Sequence, residues 1–132
     1  MKKIMFFMAV LFFATFTAVA FADEGPLKFP MREGSNASAH EHNEEGISHY
    51  NQGHYDVALK HFQTASKMDP MVGEAHFNVA LCLDNLGKHG EATNHFYAAR
   101  KYSHGNKMIN DSVILNKHAP METNHGGMKE GS

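Results

Sequence analysis

Cysteine is almost missing from this sequence: Cys82 stands alone. A single thiol closes no intramolecular disulfide, even in an oxidising compartment. It equally excludes a CxxC redox pair and a CxxCH haem attachment site. Leu81 and Leu83 flank it, so it reads as a buried structural thiol. A basic excess is lacking too. Twelve Lys and Arg stand against fourteen Asp and Glu, and no basic stripe of the kind that grips nucleic acid is present. Also missing are an alternating strand pattern, a phosphate-cradling glycine loop and a GxSxG nucleophile turn. These absences point away from an enzyme and require no cofactor.

What is there begins with a long apolar run. Lys2 and Lys3 precede "IMFFMAVLFFATFTAVAFA", which ends in Ala20-Phe21-Ala22 and gives way to Asp23. A basic start, an apolar middle and a small-residue exit form a secretory signal peptide over residues 1–22. Ala18-Val19-Ala20 offers a second cut. The expected location is periplasmic or secreted, from a bacterium, with no membrane contact after cleavage. The alternative is a retained anchor, since the run approaches the ~20 residues that span a bilayer. Histidine is the compositional excess: all 11 lie beyond this run. Below pH ~6.5 many of them take up a proton, so the net charge swings from acidic towards basic.

Residues 23–38 carry Gly25, Pro26, Pro30 and Gly34 with no helical period. They read as an extended or disordered arm. Residues 119–132 form a polar, glycine-rich tail, expected to be disordered. The segment between is self-similar. Gly53 pairs with Gly87, Ala58 with Ala92, His61-Phe62 with His95-Phe96, and Ala65 with Ala99. Each pair is separated by the same interval, the ~34 residues of a helix–turn–helix repeat. The glycines suit turns, the alanines let helices approach, and each phenylalanine fills the space one turn along. Pro70 ends a helix. Helices are expected over 39–52, 55–68, 73–86 and 89–102, with a fifth over 107–118.

"GISHYNQGHYDVALKHFQTASKMDP" follows G-x-x-x-Y-x-x-G-x-Y-x-x-A-x-x-x-F-x-x-A-x-x-x-x-P. Through it, residues 39–106 resemble the tetratricopeptide repeat family. The second unit departs from the pattern at Ala80, Leu83, His89 and His104. The resemblance implies an all-α fragment of an α-solenoid. Its parts would be units 39–72 and 73–106 and a capping helix 107–118. It also implies that the first helix of each unit lines a groove for another protein. Carried over by position, that lining is His40, Asn43, Ile47, Tyr50 and Asn51, then Glu74, Phe77, Asn78, Leu81, Asp84 and Asn85. With no Lys/Arg cluster to clamp a carboxylate, an apolar or amphipathic segment is the expected partner. An exported adaptor or assembly scaffold follows. Two repeats and a cap barely meet the roughly three repeats that bury a continuous core. Leu27, Phe29 and Met31 of the arm could pack back, the chain could form a homo-oligomer, or a bound partner could supply stability.

His42, Glu45 and His49 stand three and four residues apart and share one helical face. Three readings stay open. They form an ion pair, a solvated edge of the stack, or a site for a divalent metal held through imidazole and carboxylate, with Cu, Ni or Zn the suited ions. "GHYDVALKHFQTASK" is also similar, over about thirty residues, to the His-spaced helices of small periplasmic metal-binding proteins. That likeness implies metal buffering.

Overall fold

The computed structural model describes residues 24–121. The expected signal peptide at 1–22, and the expected tail from residue 122 onwards, lie outside the described residues. Among the described residues six helices follow one another: α1 Ala37–Asn51, α2 Tyr55–Met68, α3 Gly73–Asn85, α4 His89–Lys101, α5 Lys107–Asn110 and α6 Val113–His118. No strand occurs among the described residues. Each of the first four helices packs on the next, and α6 closes on α4. This is the all-α, two-hairpin stack that the repeat resemblance implies.

The matched residues do matched work. Gly53 and Gly87 have φ of +77° and +78°, where a Cβ meets backbone oxygen. Their amides donate to Tyr50 O and Asp84 O, closing the two hairpin turns alike. Ala58, Ala65, Ala92 and Ala99 are fully buried beside Phe62 and Phe96. Close approach is tightest at Gly46 on α1, where an added Cβ would stand 2.5 Å from the Phe62 ring. At Gly73 it would stand 2.6 Å from the carbonyl oxygens of both Ala99 and Tyr102.

Helix α1 starts two residues before the expected 39. Asn36 caps it by accepting from the Ala39 amide at 3.1 Å. The expected fifth helix, 107–118, is corrected: it is two short helices with a break at Asp111–Ser112. Ser112 starts the second by accepting from Leu115 N at 3.0 Å, and Asn106 caps the first by accepting from Met108 N at 2.9 Å. Local capping side chains therefore override a continuous helical period. Both pieces still cover the stack, since Ile109 and Leu115 are fully buried. Arg100 donates to Ala119 O and Asn116 Oδ1, which ties the end of α6 back to α4.

The arm is extended and packed. Leu27 and Phe29 are buried, while Met31 is exposed. Ser35 then accepts from Arg32 N at 2.7 Å and donates to Pro30 O at 3.1 Å, turning the chain into α1.

Candidate functional site

The face formed by α1 and α3 is where a groove is expected, and the chain's own arm crosses it. Asn78 on α3 accepts from Leu27 N at 2.6 Å and donates to Leu27 O at 2.7 Å. Its other amide hydrogen goes to Asn43 Oδ1 at 2.8 Å, and Asn43 Nδ2 donates to Leu27 O at 3.0 Å. Both asparagines are fully buried, and these bonds meet the hydrogen-bonding demand that burial imposes. The carboxamide pairs with the backbone as a neighbouring strand would, so it reads chain conformation rather than side-chain identity. On one side Phe29 packs among Ala39, Ala65, Ala75 and Val72 and meets the His40 ring edge-on at 6.4 Å. On the other, Glu24 accepts from Ser112 Oγ at 2.6 Å and from Val113 N at 2.7 Å. The arm is thus held at both ends and in the middle.

The other expected groove residues have different surroundings. Phe77 and Leu81 are core, with Phe77 edge-on to Phe96 at 5.7 Å. Ile47 packs half-buried at the core edge. Glu74 is buried and accepts from Asn106 Nδ2 at 2.8 Å, which fastens α3 to the loop before α5. Asn51 is exposed at the end of α1. Tyr50, Leu81, Asp84 and Asn85 line a cleft of about 740 Å³ that Val113 and Ile114 of α6 wall on the far side. Within it, Asn85 Nδ2 donates to the Tyr50 hydroxyl at 3.1 Å. This cleft is the part of the concave face that the arm leaves open.

Among the described residues, histidines gather with a carboxylate at two places. On the α1–α2 hairpin, His61 Nδ1 lies 2.9 Å from Glu45 Oε2 and 3.3 Å from His42 Nδ1. His42 Nδ1 lies 3.9 Å from the same carboxylate oxygen. The structure therefore brings together His42, Glu45 and His61 as potential metal donors. His49 is not among them: its ring stacks on His61 at 5.5 Å and 6°, with His54 beyond at 5.9 Å. Spacing along one helix pointed to His49, one turn past Glu45. The closer donor comes from the facing helix, which no spacing within α1 could reveal. The second gathering, Asp84 with His89 and His118, sits at the rim of the cleft. Sequence reasoning placed Asp84 in the groove and gave His89 and His118 no site role, because the three come from separate helices.

The tetratricopeptide repeat family model matches residues 43–106. Residues 43–106 are tetratricopeptide repeats. No curated protein matches the sequence. Through these repeats the chain carries a module for binding other proteins or peptides. Its two repeats echo each other even in their histidines. His76 Nδ1 lies 3.3 Å from His95 Nδ1, as His42 does from His61, but Val79 stands where the first repeat has Glu45. Without that carboxylate, burial and then the neighbouring His76 push the His95 pKa below 6.5, with Glu91 opposing. Cys82 lies buried inside the second repeat, and burial pushes its thiol up to about 12.

Proposed function

We propose that this protein is an exported adaptor or assembly scaffold that works outside the cytoplasm by binding an extended segment of another protein along its concave face. The observation that carries this is the Asn43–Asn78 clamp on the Leu27 backbone. Buried carboxamides that read an extended backbone are a peptide-recognition device, and here the arm already exercises it. The open cleft continues the same face. Its lining joins apolar Val113 and Ile114 to the polar groups of Tyr50, Asn85 and Asp84, which suits an amphipathic segment. The basic-then-apolar start of the sequence supports export.

Val113 lines the cleft and is 69% exposed, so Val113→Glu tests binding without touching the core. Affinity capture from the periplasmic fraction should recover a partner with the natural chain and lose it with Val113→Glu, at unchanged helicity by circular dichroism. Equal capture by both forms counts against the cleft. Phe77→Glu is a poor probe here, because Phe77 is core and its replacement would unfold the second repeat.

A second reading, the holding of a divalent transition metal such as Cu, Ni or Zn, is favoured by the compact triangle of His42, Glu45 and His61 donors. Copper titration by calorimetry should then weaken with His61→Ala and persist with His49→Ala. The reverse order would restore the single-helix arrangement and discard this triangle.

A further inference from the structure

Asp84 lies in the last turn of α3, His89 opens α4 and His118 ends α6. Three helices thus deliver one side chain each to a single point. Asp84 Oδ1 lies 2.6 Å from His89 Nδ1 and 3.0 Å from His118 Nε2, and one donor atom from each residue falls within 4.8 Å of the others. His118 is well ordered by its surroundings. Its side chain is 14% exposed, and its ring stacks on Phe96 at 5.2 Å and on His89 at 5.9 Å.

Thr93 gives its hydroxyl hydrogen to His89 O at 3.0 Å, so towards His118 Nδ1, 3.4 Å away, its oxygen serves as an acceptor. In the tautomer protonated at Nδ1, His118 turns its Nε2 lone pair towards Asp84 Oδ1, 3.0 Å away, and a cation between the two atoms is held by both. A hydrogen-bonded outer partner that fixes the tautomer and leaves the other nitrogen bare is the usual setting of a metal-binding histidine.

The geometry points to a divalent transition-metal site at Asp84, His89 and His118, with zinc as the ion best suited to two imidazoles and one carboxylate. Metal–donor distances of ~2.0–2.1 Å place tetrahedral donors roughly 3.3 Å apart. From 2.6 and 3.0 Å, the Asp84–His89 and Asp84–His118 pairs therefore need to open by less than about 1 Å to admit the ion, and His89, 66% exposed on its side chain, is free to move. Three donors leave a fourth position of the tetrahedron for water or for a group entering the cleft, which Asp84, His89 and His118 all line. The bound ion would also staple the capping helix α6 to the second repeat. This site shares no residue with the His42–Glu45–His61 triangle, and it stands whatever the groove binds.

The test is zinc titration of the full chain, purified without a polyhistidine tag. The background is His42→Ala/His61→Ala, which silences the other triangle. Zinc should bind in that background and raise the unfolding temperature. Adding His89→Ala, or separately Asp84→Asn, should cost one zinc equivalent or at least about tenfold in affinity. Thr93→Val, which touches no metal, should weaken binding by about tenfold through His118. Cobalt substituted for zinc should give tetrahedral d–d bands that His89→Ala abolishes. His89 and Asp84 are chosen because neither replacement opens the core. Absence of zinc binding in the background, or unchanged stoichiometry and affinity in both His89→Ala and Asp84→Asn, overturns the site.

Discussion

Two residues show how narrowly the repeat is packed. Gly46 has no side chain because the Phe62 ring fills the place where a Cβ would go. Gly46→Ala should therefore lower the unfolding free energy by about 1–3 kcal/mol, the range for overpacking a tight core. Urea unfolding with an unchanged m-value would show it. Gly25, with nothing near its Cβ position, is the matched control. His95 ties the same packing to pH. Burial and the neighbouring His76, against the opposing pull of Glu91, keep its pKa below 6.5 in the folded chain. Between that lowered value and 6.5 the unfolded chain takes up a proton that the folded one refuses. Stability is thus intact above pH ~6.5 and declines as the pH falls through this window. The loss of unfolding temperature between pH ~7.5 and ~5.5 should be smaller in His95→Phe than in the natural chain. Equal losses would remove His95 from the pH response.

Among the elements, the hairpins were legible and the cross-helix contacts were not. Gly53, Gly87 and the paired alanines announce turns and close approaches through residue type alone, so α1 to α4 fall within two residues of the reading. Helix ends follow side-chain capping, which is why Ser112 divides a segment whose apolar spacing looked continuous. The arm was legible in part. Leu27 and Phe29 advertise apolar surface, but composition cannot show that Asn43 and Asn78 would meet Leu27's backbone. The same limit explains His61 and His118, which come from facing helices and join their clusters only once the stack forms. The arm's contribution is measurable as an element. Phe29→Ala empties a pocket between Ala39, Ala65 and Ala75, and it should destabilise the fold by about 3–5 kcal/mol in equilibrium unfolding. Asn78→Ala strands the Leu27 amide and should cost about 1–3 kcal/mol. An effect near zero for Phe29→Ala would mean the arm adds nothing to the folded state.

As a whole the molecule is a short stack that supplies its own missing layer. A repeat array buries its core by adding neighbours, and two repeats leave a concave face with nothing on it. Here the segment from Glu24 to Phe29 lies on that face, joined at one end to the capping helices and at the other to the start of α1. The arrangement explains how a small tetratricopeptide module closes a core that includes Leu27 together with Phe77, Leu81 and Leu115. It also means that a partner meets a face already half occupied, with the cleft beside α6 as the open remainder. The described helices are none of them long and apolar enough to cross a membrane, and each belongs to this one packed unit.

The shape of the groove depends on the arm lying where Asn78 grips it. The most direct measurement is amide hydrogen exchange at Leu27 in the full chain, followed residue by residue by NMR. Its amide donates a buried 2.6 Å bond to Asn78 Oδ1. It should exchange as slowly as the amides of α3, and Asn78→Ala should speed it at least about tenfold while α3 stays protected. Exchange of Leu27 at the rate of an open chain, in a protein whose four long helices are protected, would contradict the account.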